Sequence, residues 1–174
     1  MNELFQIGIT LCFLGYLVHT RAHIKGYKSG DYKNIKMEIM LSIVIFFSYF
    51  GWGLMLFNDP LKIFLDQSIL GLILGIALAL IGLSLFVMAA NTCKGFIGPN
   101  CLVTEGIYSK IRNPMYIGII LIHIGGPLIF NSLITLISNV LWIPLIVLWI
   151  YLEEKDLEKQ FGQKYLDYKK KTLL

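Results

Sequence analysis

Charge is what this chain has least of. Asp, Glu, Lys and Arg make up 15% of its 174 residues, against 56% for hydrophobic types, and the mean hydropathy is +0.70. A soluble domain carries about 25% charged residues, and a disordered chain needs more charge and less apolar content. The composition argues against both. Cysteine is also scarce: Cys12, Cys93 and Cys101 are odd in number and none closely spaced, so neither a disulfide framework nor a cysteine zinc site follows. The three histidines, His19, His23 and His123, are scattered, and no metal is expected. No Gly-rich dinucleotide fingerprint, phosphate loop or His-Glu-x-x-His pattern occurs. The basic residues lie beside apolar runs and not on a soluble face, so nucleic acid is not an expected partner. No repeat of 20 to 50 residues is visible.

What the chain does have is long apolar runs. Five can be read: about Leu4 to His19, Met37 to Phe57, Ile69 to Ala90, Met115 to Phe130, and Leu133 to Leu152. A bilayer core of roughly 30 Å needs about 20 apolar residues in a helix. The second, third and fifth runs meet that alone; the first and fourth are shorter. The run from Ile69 to Leu80 has no polar face, unlike a soluble core helix. In lipid its backbone must satisfy itself, so it is expected to span as a helix. Gly71, Gly75, Ala79 and Gly82 recur at spacings of four, four and three, which predicts a face that another helix approaches closely.

The fold expected is an all-α integral membrane protein with five transmembrane helices and a C-terminal amphipathic cytoplasmic helix. It forms one membrane domain over 1–174, with an N-terminal three-helix part over 1–90 and a second half over 91–174. Orientation follows from Lys and Arg. Segment 21–36 holds five of them, segment 91–114 three and the tail six, while segment 58–68 holds only Lys62. Five spans therefore gather fourteen of the fifteen basic residues on one side. The positive-inside rule makes that side cytoplasmic and puts the N-terminus outside. The first run has Glu3 in place of a basic n-region and lacks a small-residue cleavage site, so it reads as a retained helix.

Three segments can carry chemistry. Residues 91–116 form the longest polar connection, turned by Gly95, Gly98, Pro99 and Gly106; turning backbone leaves N–H and C=O groups for a ligand, although an ordinary interfacial linker has the same composition. At its end, Pro114 suits a first helical turn and Asn113 an N-cap, Arg112 can snorkel to headgroups, and the helix start offers N–H donors to a carboxylate. Glu153 and Glu154 close the fifth run. Acids there are costly unless they face protein or water, and about 100° of rotation separates them, so one is expected inward and the other toward water. In the tail from Lys155 to Lys171, Leu157, Phe161, Tyr165 and Tyr168 give an apolar stripe. Such a basic helix lies on anionic lipid or covers a site.

Leu102-Val103-Thr104-Glu105-Gly106-Ile107-Tyr108, then Arg112-Asn113-Pro114-Met115-Tyr116-Ile117-Gly118, then Glu153-Glu154, and Phe161-Gly162 with Tyr165 form an ordered series. It resembles the isoprenylcysteine carboxyl methyltransferases and the related phospholipid methyltransferases, membrane enzymes that use S-adenosylmethionine. The resemblance covers roughly residues 91 to 170. It implies that Asn100, Cys101, Leu102, Val103 and Tyr108 line the cofactor, that Asn113, Pro114, Met115 and Tyr116 hold its adenosyl and methionine parts, and that Glu153 takes its ammonium group. Two positions depart from the carboxyl methyltransferases: Asn113 stands where they usually carry His, and Trp149 where they place an Arg for the substrate carboxylate. Trp cannot pair with a carboxylate as Arg does.

The implied activity is methyl transfer to a lipid-like or lipidated acceptor, carboxyl or amine, at the cytoplasmic face. An amine must be neutral to react, and Glu154 is the candidate proton acceptor. Two other readings stay open on sequence: a membrane reductase of the sterol reductase type, which uses NADPH and resembles the same C-terminal pattern, and a small non-catalytic membrane protein. The sequence does not name the acceptor or the oligomeric state.

Overall fold

The computed structural model describes residues 2–29, 35–66, 68–93 and 102–173. It contains six α-helices: α1 (Glu3–Ser29), α2 (Ile35–Asn58), α3 (Ile69–Cys93), α4 (Pro114–Phe130), α5 (Leu133–Phe161) and α6 (Gln163–Lys171). A short 3₁₀ turn covers Gly106–Ser109. Among the described residues there is no strand, only an isolated bridge between Ile111 and Leu173.

Four helices are long and apolar enough to cross a membrane: Glu3–Lys25, Ile39–Asn58, Ile69–Thr92 and Leu133–Phe161. The first is longer than its apolar run suggested, because α1 continues past His19 through a basic turn. The fourth run instead forms a shorter apolar helix, Pro114–Phe130. At 1.5 Å per residue it is about 26 Å long, just short of a hydrocarbon core.

Hydrogen bonds gather five helix ends at one pole. Asn2 Nδ2 donates to Asn58 Oδ1 at 3.1 Å, joining the start of α1 to the end of α2. The α2–α3 connection clasps the α4–α5 turn: Phe64 N–H donates to Asn131 Oδ1 at 2.9 Å, and Asn131 Nδ2 donates back to the Phe64 carbonyl at 3.0 Å. Asn131 takes a left-handed conformation, with φ at 55°, which Asn tolerates better than most residues. The tight hairpin expected at Asn131-Ser132 is present. Asp59, buried at the same pole, accepts from the backbone N–H and the hydroxyl of Thr135 at 2.7 and 2.8 Å. It thus satisfies a first-turn donor of α5 and sets a negative charge at that helix's positive end.

Close backbone approach holds α3 to α4. A Cβ on Gly82 would stand 2.6 Å from the Gly118 carbonyl oxygen, and one on Gly75 would stand 2.8 Å from that of Gly125. The small-residue face read on α3 is therefore the α4 contact, except that Gly71 meets the Phe64 ring instead. A similar pair, Gly8 and Gly51, joins α1 to α2. Forcing a side chain into such contacts costs about 1–3 kcal/mol.

The core between α1, α2, α4 and α5 is aromatic and partly polar. Tyr16, Trp52, Trp142 and Trp149 are buried together with Met55 and Ile146. Buried His123 of α4 stands at 2.8 Å from the Tyr16 hydroxyl. Its Nδ1 lies 3.0 Å from the Ile119 carbonyl. That carbonyl can only accept, so Nδ1 carries the proton, and Nε2 accepts from Tyr16.

The chain then turns back on itself. The tail is not one continuous helix: Gly162, at φ +52°, ends α5 and starts α6. The apolar stripe is split there, and α6 folds back beside the start of α4.

Candidate functional site

The pole opposite Asp59 carries the acids. Arg112 and Asn113 precede α4, and Pro114 fills its first position, where a missing N–H costs little. Asn113 occupies the cap position, but its side chain does not cap the helix. Its Nδ2 donates to Glu154 Oε1 at 2.9 Å instead. One turn along, the Tyr116 hydroxyl donates to Glu153 Oε2 at 2.8 Å.

The two acids diverge, as consecutive helical residues must, but neither is left to water. Glu153 is half-buried and turned toward α4. Glu154 is only 13% exposed and accepts from three groups: Asn113, Arg112 Nε at 3.0 Å, and Lys169 Nζ at 2.6 Å. The expectation that one acid reaches solvent fails because α6 covers the second face of α5. No cation pairs with Glu153 among the described residues.

Arg112 does not snorkel to headgroups as expected. Its guanidinium turns inward, 14% exposed, and ties the tail down. Besides Glu154 it donates from one terminal nitrogen to the carbonyls of Lys169 and Thr172 at 3.0 and 2.7 Å. Arg112 N–H and Leu173 C=O bond at 2.8 Å, and Leu173 N–H bonds the Lys110 carbonyl at 2.8 Å. The Tyr168 hydroxyl donates to the Tyr108 carbonyl at 2.6 Å. The last residues are thus a strap across the start of α4. Beneath it Tyr165 is 1% exposed, and its buried hydroxyl has no hydrogen-bond partner among the described residues. Burial pushes this phenol well above its ordinary range, so it stays protonated.

Of the residues expected to bind a cofactor, Asn113, Pro114, Met115 and Tyr116 stand together at the start of α4, and Tyr116 joins Glu153 of α5 there. Tyr108 lies on the 3₁₀ turn against the strap. Leu102 and Val103 are half-buried on the extended approach to that turn. Asn100 and Cys101 lie outside the described residues. Sequence reasoning missed Tyr165 as a buried polar group and Lys169 as a partner of Glu154. Lys169 stands fifteen residues past its acid, beyond any local spacing rule, whereas Tyr165 was already on the tail's apolar stripe.

Residues 67–164 match the phospholipid methyltransferase family, which is more than half of the chain. The chain belongs to that family. This makes it a membrane methyltransferase and removes support from the reductase and non-catalytic readings. A comparison with curated proteins finds no match. Within the phospholipid methyltransferase match lie Arg112, Asn113, Tyr116, Glu153 and Glu154. Outside it lie all of α1 and the strap residues Tyr165, Tyr168 and Lys169.

Proposed function

We propose that the protein transfers a methyl group from S-adenosylmethionine to the amine of a lipid headgroup at the cytoplasmic face of a membrane. The observation that carries this reading is Glu153: a carboxylate held by one phenol, without a cation among the described residues, where the apolar part of α5 ends. A charge so placed is costly unless a ligand meets it. The residues present suit the cofactor. Glu153 matches its ammonium group, the first-turn N–H groups of α4 at Met115 and Tyr116 match its carboxylate, and the unpartnered Tyr165 hydroxyl offers one more hydrogen bond. When bound, the cofactor supplies an electrophilic methyl group on a sulfonium. The protein's own task is to orient the acceptor and exclude water, with lipid on one side and the strap on the other. Leu102, Val103, Tyr108, Asn113 and Pro114 complete the wall in this reading.

Acceptor class follows from charge. Arg112 is committed to Glu154 and the strap, Lys169 is paired with Glu154, and Trp149 fills the position one turn before Glu153. Among the described residues around the two acids this leaves no uncommitted cation for a substrate carboxylate, whereas aromatic rings suit a cationic headgroup. Glu154, with its oxygens already engaged by Arg112, Asn113 and Lys169, is assigned here to anchoring the strap. Incubation of membranes bearing the protein with methyl-labelled S-adenosylmethionine, followed by mass spectrometry of the lipids, is expected to place the label on a headgroup nitrogen. A base-labile methyl ester would overturn the amine reading.

In the same reading α4 crosses the membrane with the other four helices. It starts and ends at the same two poles as α3 and α5, and its 17 residues fall within the length range for a span. The pole holding Asp59 and Lys62 is then outside, and the pole holding the strap is cytoplasmic. Single cysteines placed at Lys62 and Lys170 are expected to label from opposite sides of sealed vesicles. Labelling of both from one side would refute the five-span arrangement.

A further inference from the structure

Two histidines on α1 lie outside the family match and outside the cluster around Glu153. His19 and His23 sit one turn apart, and their Nε2 atoms are 2.9 Å from each other. At that distance one nitrogen carries a proton and the other accepts it. His19 is 8% exposed, and its Nδ1 is buried with no hydrogen-bond partner among the described residues. A buried ring nitrogen left in this way is rare in a folded protein.

Their place in the bundle connects them with the site. Trp149 Nε1 donates to Thr20 Oγ1 at 2.8 Å, pinning α1 to α5. Both helices start at the Asp59 pole, so they run in the same direction. One turn farther along α1 comes His23, and one turn farther along α5 comes Glu153. They therefore stand at about the same height on adjoining helices. His19 lies one turn back along α1, toward the middle of the bundle. Trp149 separates the levels: the His19 ring meets it edge-on with centroids 4.4 Å apart, and the His23 ring stacks parallel to it at 5.7 Å and 9°. An indole face stabilises a cation set against it.

Resting on the amine reading above, we infer that the His19–His23 pair is the proton acceptor that converts the headgroup ammonium into a nucleophile. The starting tautomer has His19 donating from Nε2 to His23 Nε2, so His19 Nδ1 presents a lone pair. One ammonium N–H bond breaks, its electron pair stays on the amine nitrogen, and an Nδ1–H bond forms. The Nε2 proton of His19 passes to Nε2 of His23. The positive charge then rests on His23 against the Trp149 face; after methyl transfer the two protons retrace the relay, and the one on His19 Nδ1 leaves to water that enters as the product departs, which restores the starting tautomer. No oxidant or further reactant is needed. Glu154 is engaged by three donors, and Glu153 is reserved for the cofactor, so neither carboxylate of the main cluster is free for this step.

His19→Gln tests the assignment, because the Gln amide can still donate to His23 from near the Nε2 position but has no counterpart of Nδ1. With phosphatidylethanolamine vesicles as acceptor, its transfer rate is expected to fall by about 10²-fold or more, the usual scale for a lost general base. Binding of S-adenosylhomocysteine by calorimetry should match the parent. A phospholipid whose headgroup ends in a weakly basic aminooxy group, already neutral at pH 7, should be methylated by parent and variant at similar rates. An unchanged rate on phosphatidylethanolamine, or an equal fall on both lipids, would overturn the inference and leave the pair structural. A second measurement does not depend on the variant folding. In the unsubstituted protein, nitrogen-15 resonances of labelled histidine are expected to show one imidazole with a bare Nδ1 and a protonated Nε2, the resting tautomer of His19; a protonated Nδ1 on His19 would overturn the inference. Methylation of a carboxyl group by the parent would overturn both the amine reading and this inference, whereas amine methylation insensitive to His19 overturns this inference alone.

Discussion

Arg112→Ala is expected to release the C-terminal strap while leaving the bundle intact. The guanidinium makes one ion pair with Glu154 and two bonds to the carbonyls of Lys169 and Thr172. Removing one partner of a buried pair costs about 3–5 kcal/mol when the other charge is stranded. Lys169 and Asn113 still hold Glu154, and Lys169 is 40% exposed, so the lower end of that range is expected. Each 1.4 kcal/mol is a factor of ten. Amide hydrogen exchange over α6 and at Leu173 should therefore accelerate by at least about tenfold, with the α3–α4 amides unchanged. Arg112→Lys should not restore protection, because a single ammonium on a flexible stem lacks the planar fork that reaches all three acceptors. If protection over α6 survives Arg112→Ala, the Tyr168–Tyr108 bond and the Ile111–Leu173 bridge hold the strap unaided.

The consequence reaches function through position. Tyr165 lies under the strap, and Tyr108 is bonded to it. A frayed strap opens the site to water, which methyl transfer must exclude. Loss of cofactor affinity in Arg112→Ala, without any direct contact from the guanidinium, is the expected companion result.

The bundle was legible in the sequence because lipid leaves little choice. Once Ile69 to Leu80 has no polar face, a self-satisfied helix is the only answer, and the Gly75–Gly82 face announced its own partner surface. The seven-residue spacing of Gly75 and Gly82 survives in the structure as contact with Gly125 and Gly118. Lengths were less legible. α1 runs on through Arg21 and Lys25 because hydropathy marks where lipid contact ends, not where a helix ends. The break at Gly162 was undervalued: one glycine costs a helix only about 1 kcal/mol, but here its positive φ lets α6 reverse onto α4.

The site was legible where residues are neighbours on one helix and illegible where the fold closes distant segments. Asn113, Tyr116 and Glu153 could be grouped from motif order. The ties from Glu154 to Arg112 and Lys169 span 42 and 15 residues, and no local pattern encodes them. His19 and His23 were within reach of sequence reasoning: a spacing of four puts two side chains on one helical face, yet with His123 far along the chain the three read as scattered. Asp59 was likewise invisible, since the helix it caps begins more than seventy residues later.

Glu153→Gln tests whether the first acid is the cofactor's partner, as proposed, and the second the strap's anchor. Gln keeps the shape and can still accept from the Tyr116 hydroxyl, now 2.8 Å from Glu153 Oε2, so the substitution removes charge and little else. A hydrogen bond to a charged group is worth about 1.5–3 kcal/mol, and stranding the cofactor's ammonium opposite a neutral amide raises the cost toward the 3–5 kcal/mol of a broken buried pair. The expected result is at least about a tenfold loss of affinity for S-adenosylmethionine by calorimetry, since 1.4 kcal/mol is tenfold. Tyr116→Phe, which leaves the carboxylate in place without its phenol, should cost less than Glu153→Gln. Glu154→Gln should differ in kind. It weakens the pairs with Arg112 and Lys169, so its loss of affinity should come with faster exchange over α6, whereas Glu153→Gln should leave that exchange at the parental rate. The two acids are adjacent in sequence and set about 100° apart on α5, one facing α4 and one facing the strap. Equal affinity of parent and Glu153→Gln for S-adenosylmethionine would remove Glu153 from the cofactor site. A binding defect in Glu154→Gln with unaltered strap exchange would move the ammonium to the second acid.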